Sequence, residues 1–314
     1  MGGFLTELGK KLAERWLTLL ALPGVLYLAI LATAHTLGHT RPFTLSRLTD
    51  RLSNWTTSSA TTTALLLFVV LLAAAAAGLT AQALGSLIER AWLADRWTSR
   101  RPPLRHLARL RVRRRHRRWS TKQSAYHALA QAKAERLAHG DPVPPEMDQA
   151  LIAGHSRIAR IALEEPARPG WIGDRLHAVV HRIDRDYRLD LPTAWPYLWL
   201  TMPEETRITI TDARAAFGRS ATLAGWGVLY LAAGILWWPG ALLAAAILIT
   251  ARHRARDATE TYASLVEAAT RLHTPALATT LRLDHTGPLD RATGWAVTCL
   301  LQGRPDLIPF VPHK

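Results

Sequence analysis

RWTSRRPPLRHLARLRVRRRHRR, residues Arg96–Arg118, holds eleven arginines, two histidines and no acid. It follows directly on an uncharged apolar run that starts at Thr62 and ends near Ile88. Basic residues beside a membrane span resist translocation, so a flank this dense stays in the cytoplasm. That assignment orients the neighbouring segments. The run from Thr62 brings the chain back into the cytoplasm, the loop before it lies outside, and the N-terminus starts inside.

Upstream, Trp16 to about Leu37 contains no Asp, Glu, Lys or Arg and is long enough to cross a hydrocarbon core of about 30 Å. Pro23-Gly24 predicts a kink in it. A cleaved secretory signal competes with this reading, since Ala32-Thr33-Ala34 resembles a cleavage site, but the apolar run exceeds the usual signal core. Residues 1–15 place Phe4, Leu5, Leu8 and Leu12 on one face, as an interfacial leader does. Between the two spans, Leu45, Leu48, Leu52 and Trp55 recur at helical spacing and predict a short helix on the outer interface. The second span is rich in small residues. Ala77, Ala81 and Gly85 fall four apart, a spacing that lets another helix approach closely. Alanine bias from a GC-rich bacterial genome is the plain alternative.

Downstream, residues 120–219 read as a cytoplasmic helical domain. Ser120 or Thr121 is placed to cap a helix ending near His139, before Gly140-Asp141-Pro142. A second helix follows over about 145–164. The third is the clearest, with Ile172, Leu176, Val179, Val180, Ile183 and Tyr187 in one apolar stripe. Trp195, Tyr197 and Trp199 stand among prolines, where they plug the domain core or rest on a membrane surface. Arg207–Thr211 alternates like a strand but has no partner strand, so it reads as part of a helix from Pro203.

Ala221–Thr250 is one kinked span, a hairpin or a re-entrant pair. A hairpin turning at Trp237-Trp238-Pro239-Gly240 returns Arg252, Arg254 and Arg256 to the side of Arg214 and Arg219, which the charge rule favours. Its second limb is short, about 20 Å from Pro239 to Arg252 at 1.5 Å per residue. Gly227 and Gly234 give this hairpin a small-residue face. Beyond it, Ala258, Tyr262, Leu265, Val266, Ala269 and Leu272 mark an amphipathic helix. Thr274-Pro275 starts a shorter one, and the apolar patch at 294–301 is too short to span.

The expected fold is therefore an all-α integral membrane protein. It has two transmembrane hairpins (four spans, both termini inside) and a central cytoplasmic helical domain. The segments are a leader at 1–15, a first hairpin at 16–95, a polybasic segment at 96–119, the helical domain at 120–219, a second hairpin at 220–251 and C-terminal helices at 252–314. The location is the bacterial inner, or cytoplasmic, membrane.

Chemistry is sparse. Formal charge is +15 over 314 residues, which suits an anionic surface. The single cysteine, Cys299, excludes an intrachain disulfide and reads as a small apolar residue. His177 and His181 share a helical face as zinc-protease histidines do, yet Ala178 stands where the general-base glutamate belongs. His35 and His39 repeat that spacing at the outer end of the first span. Asp184, Asp186 and Asp190 resemble a calcium loop, but Leu189 replaces its glycine and Trp195 its terminal glutamate. No nucleophile elbow, phosphate loop or dinucleotide fingerprint occurs, and the spans lack the ionisable residues that pumps use. The sequence calls for no catalytic residue, metal or cofactor.

Arg96, Arg100, Arg101, Arg105, Arg109, Arg111, Arg113, Arg114, Arg115, Arg117 and Arg118 remain as the candidate binding set. They suit anionic lipid headgroups, an acidic protein partner, or non-specifically bound nucleic acid. The first functional expectation is a non-enzymatic membrane scaffold or anchor that recruits a cytoplasmic partner. The alternatives are an oligomeric channel packed through Ala77, Ala81, Gly85, Gly227 and Gly234, and a membrane component of DNA transfer.

Overall fold

The computed structural model describes residues 22–39, 60–93, 102–283 and 287–308, together with residues 7 and 97. All regular structure among them is helical, with no strand. In chain order the helices are α1 (Leu22–Leu37), α2 (Ala60–Leu93), α3 (Pro102–His139), α4 (Pro145–Ala159), α5 (Trp171–Tyr187), α6 (Leu191–Thr201), α7 (Glu204–Leu236), α8 (Trp238–Thr280) and α9 (Arg291–Leu301). The leader at 1–15, apart from residue 7, and the interfacial helix marked by Leu45, Leu48, Leu52 and Trp55 lie outside the described residues. Two helices, α2 and α7, are long and apolar enough to cross a bilayer, while α1 has 16 residues.

Contacts divide the chain into two units. One takes Met1–Glu89 and Phe217–Ala255, the other Arg90–Ala216 and Arg256–Lys314. In the first, small residues let backbones meet. Ala81 lies against Gly225, and a Cβ added to Gly85 would fall 2.8 Å from the Cα of Thr222, so α2 and α7 run antiparallel. The chain then reverses at Trp237, where the Gly240 N–H donates to the Trp237 carbonyl at 2.9 Å. Gly234 abuts Ala241 and Gly227 abuts Leu248, which makes α7 and the start of α8 an antiparallel pair. Tyr27 of α1 packs edge-on against Tyr230, ring centroids 5.4 Å apart, and tilted against Trp226. His39 donates from Nδ1 to the Leu236 carbonyl at 2.8 Å, satisfying an end group of α7 that has no partner within the helix.

The second unit has its own core. Val179 and Ile183 of α5, Leu191, Ala194 and Leu198 of α6, Ile210 of α7, Ala263, Val266 and Leu277 of α8, and Val297 of α9 are all buried in one cluster. Fully burying a Leu or Ile side chain contributes about 1.5–3 kcal/mol, so Ile183 and Leu198, both at 0% exposure, are strong anchors. The patch at 294–301 forms α9 and closes this core.

Two boundaries differ from the sequence expectation. The first domain helix does not start at Ser120 or Thr121. It starts at Pro102, because proline suits a first turn whose N–H groups are unpaired anyway, and the Arg, Leu and Ala that follow are strong helix formers. Ser120 and Thr121 instead donate their hydroxyls to the Arg117 carbonyl at 3.1 and 2.9 Å. Thr274-Pro275 likewise starts no new helix, since α8 continues through it. Thr274, Leu277 and Ala278 are buried around the proline, and packing holds the helix together there.

Ion pairs fix α5 against α8. Nε and Nη2 of Arg175 each donate to a carboxylate oxygen of Glu260 at 2.8 Å. Arg182 pairs with Glu267 one further heptad along, and Arg271 approaches Asp186 at 3.6 Å. The Arg175–Glu260 and Arg182–Glu267 rungs each join positions 85 apart, so the two helices run parallel and in register. Hydrogen bonds from Arg175 hold the Glu260 carboxyl below its usual range. A depressed carboxylate contributes stability that is complete above its unfolded value, about pH 4.3, and lost as pH falls through the folded one. Glu260→Gln should therefore lower the melting temperature at neutral pH and narrow the gap to wild type in acid. Thermal melts of both proteins across pH 3–7 check this.

Candidate functional site

α3 carries the basic set, and its packing sorts the arginines. Val112, Arg115, Trp119 and Tyr126 recur on one inward face. The Trp119 indole N–H donates to the Ala162 carbonyl at 3.1 Å, Tyr126 lies against Gly154 and tilts against the His155 ring of α4, and Lys133 meets Asp148 at 2.6 Å. α3 and α4 are therefore antiparallel. Arg109, Arg111, Arg113, Arg114, Arg117 and Arg118 are exposed, and Arg105 is half-buried. Arg96, Arg100 and Arg101 lie outside the described residues.

Arg115 departs from the set. Its guanidinium pairs with Asp174 and donates to the carbonyls of Arg168, at 2.7 Å, and Ile161. The other Asp174 oxygen accepts the backbone N–H groups of Ala167 at 3.0 Å and Arg168 at 2.6 Å. Burial pushes the Asp174 carboxyl up, against the downward pull of Arg115 and those N–H groups. Arg168 reaches on to the Leu93 carbonyl at the end of α2, at 2.9 Å. This arginine ties the second unit together and is not on offer to a lipid or a partner.

The outward face has a mixed character. Leu107 and Leu110 are 60% and 52% exposed and lie on the same side as Arg111, Arg114 and Arg118, at i+3, i+4 and i+7 spacings. Leucines that enter an apolar layer below guanidinium groups bonded to phosphate are the pattern of an interfacial helix. A basic residue held at an anionic membrane surface contributes about 1 kcal/mol there. Among the described residues no aromatic side chain shares this face for stacking on bases.

The remaining candidates resolve as follows. His177 and His181 face each other with Nε2 atoms 2.8 Å apart. Burial, then His181 and Arg168, hold His177 below its usual range. Among the described residues no group of three or more His, Cys, Asp or Glu could hold a metal. Cys299 is buried, which pushes its thiol up, away from the depressed range of reactive cysteines. Ala77, Ala81, Gly85, Gly227 and Gly234 all pack within the chain, Ala81 and Gly85 on α7, Gly227 and Gly234 on α8, and Ala77 on the cluster around Tyr27. Trp195 and Trp199 pack partly into the second unit's core and line a cleft that the sequence does not reveal, since its other wall comes from α7 and α8. No protein-family model, curated protein or solved structure matches the chain.

Proposed function

We propose that the chain is a non-enzymatic, multi-pass scaffold of the bacterial cytoplasmic membrane. Two helical hairpins anchor a cytoplasmic helical domain, and the outward face of α3 lies on anionic headgroups and holds an acidic protein partner there. The observation that carries the membrane reading is Leu65–Leu72. All eight consecutive large apolar residues are exposed, from 37% at Val70 to 64% at Leu65. The core helix of a water-soluble protein buries most of its apolar surface, yet only 22% of the most apolar window of α2 is buried. Contiguous exposed apolar surface on this scale is a contact surface for lipid or another apolar phase. The α7–α8 pair adds charge asymmetry, with Arg219 and Arg254 at its open end and Trp237 and Trp238 at its turn. That suits an arginine-rich cytoplasmic end and a tryptophan-rich outer interface.

The pore alternative drew on the small-residue faces, and those faces are taken up by contacts inside one chain. The scaffold reading keeps an unexplained feature to build on, because fewer arginines would orient the span. Full-length protein in nanodiscs containing anionic lipid, used as bait for cytoplasmic extract, tests this. Wild type should retain an acidic protein in stoichiometric amount at physiological salt. The Arg113→Gln/Arg114→Gln/Arg117→Gln/Arg118→Gln variant should lose it. Equal retention by both, or no specific retention, would contradict the reading.

A further inference from the structure

α5 carries two histidines that the scaffold reading leaves without a task. His177 and His181 stand one turn apart on one face of the helix, the first half-buried and the second exposed. Their Nε2 atoms are 2.8 Å apart, their ring centres 4.2 Å apart, and their planes meet at 83°. A straight N–H···N bond of this length would hold the ring centres about 5 Å apart. The rings are bent well out of that line, as two imidazoles are when they share one ion in adjacent positions. With metal–nitrogen bonds of about 2.0–2.1 Å, ligands at a right angle stand about 2.9 Å apart and ligands at the tetrahedral angle about 3.3 Å. The observed separation fits the right angle.

The surroundings suit ligation. A histidine binds metal as the neutral ring, here with its proton on Nδ1. Burial first, then His181 and Arg168, hold His177 below its usual range, which favours that form. The helix beneath the pair is rigid, since Arg175–Glu260 and Arg182–Glu267 lock α5 to α8 from other positions. Ligands on a locked helix keep their geometry better than ligands on a loop. Two cations lie nearby, and both are engaged. The Arg168 guanidinium donates to the Leu93 carbonyl at 2.9 Å, and Arg185, one turn beyond His181, pairs with Glu164 at 3.0 Å.

We propose that His177 and His181 bind, through both Nε2 atoms, one divalent transition-metal ion that favours right-angled nitrogen ligation, Cu(II) or Ni(II). The two imidazoles take adjacent corners of a tetragonal site, and water takes the others. Zn(II) prefers a tetrahedron, which requires the two nitrogens to move apart. Mg(II) and Ca(II) take oxygen ligands and find none here from the two rings. The site is independent of the scaffold reading and of the basic face of α3.

Full-length protein in a neutral maltoside detergent, stripped with a chelator and titrated calorimetrically with Cu(II), Ni(II), Zn(II) and Mg(II) chlorides, tests it. Cu(II) should bind most tightly, at one high-affinity ion per chain, Ni(II) next, Zn(II) more weakly, and Mg(II) not at all. Electron paramagnetic resonance of the Cu(II) form should show nitrogen splitting from two imidazoles. His177→Gln and His181→Gln should each weaken Cu(II) binding by about tenfold or more, since loss of an outer-shell partner alone costs that much. His181 is exposed, so His181→Gln without metal should melt with wild type, and Ni(II) should raise the melting temperature of wild type only. His35→Gln/His39→Gln, which removes the other pair at this spacing, should bind like wild type. Absence of the two-imidazole signal, equal Cu(II) affinity in wild type and both α5 variants, or Zn(II) binding tighter than Ni(II) would overturn the proposal.

Discussion

Asp174→Ala should destabilise the second unit by about 3–5 kcal/mol, the range found when one partner of a buried ion pair is removed. The Asp174 side chain is 5% exposed and that of Arg115 17%, so little water is available to take over the lost contacts. Alanine leaves the Arg115 guanidinium without its counter-ion and the Ala167 and Arg168 N–H groups without an acceptor. Asp174→Asn should fall between wild type and alanine, because its amide oxygen still accepts from the backbone but carries no charge. Arg114→Gln, one position from Arg115 but outward-facing, should stay within about 0.5 kcal/mol of wild type. Denaturant unfolding of the full chain in detergent, read by circular dichroism, measures all three. If Asp174→Ala and Arg114→Gln behave alike, the inward assignment of Arg115 is wrong.

Gly225→Leu should separate α2 from α7 and cost about 3 kcal/mol or more, at or beyond the upper end for overpacking. The reason is what a side chain would meet. A Cβ on Gly225 runs into the Ala81 carbonyl and lies 2.9 Å from the Gly85 nitrogen, so the collision is with backbone that no rotamer change relieves. Ala76→Leu, on the exposed side of α2, should have little effect. Melting temperatures of the two variants in one detergent decide the matter. A Gly225→Leu protein that melts with wild type would mean that the two helices do not meet there.

Particular residues show how far the sequence could be read. The apolar stripe of α5 and the Pro-Gly turn after Trp237 were legible because periodicity and turn chemistry are local. So was the small-residue face, although alanine bias gave a rival explanation until Ala81 and Gly85 were seen against α7. The start of α3 was not legible because Ser120 and Thr121 have the chemistry of a cap, whereas the opening lies at Pro102, where proline suits a first turn. Arg115 looked like its neighbours. A signal did exist, since Val112, Trp119 and Tyr126 recur every seven residues and place Arg115 on their side, whereas the arginines around it fall elsewhere. The parallel register of α5 with α8, and the cleft that joins Trp195 to Tyr262 and Arg214, come from contacts between distant segments. No local pattern encodes those.

The membrane assignment is tested most directly by the accessibility of single cysteines. Cys299 is the native thiol and is buried, so a Cys299→Ala background allows one probe at a time. Phe68→Cys, Trp238→Cys and Ser124→Cys, expressed in intact bacteria, would be labelled with a membrane-impermeant maleimide in spheroplasts and in inverted vesicles. Trp238→Cys should react only from outside, Ser124→Cys only from the cytoplasmic face, and Phe68→Cys from neither until detergent is added. Rapid labelling of Phe68→Cys from either side before detergent would show that the exposed Leu65–Leu72 surface faces water, and the two-hairpin membrane fold would be wrong.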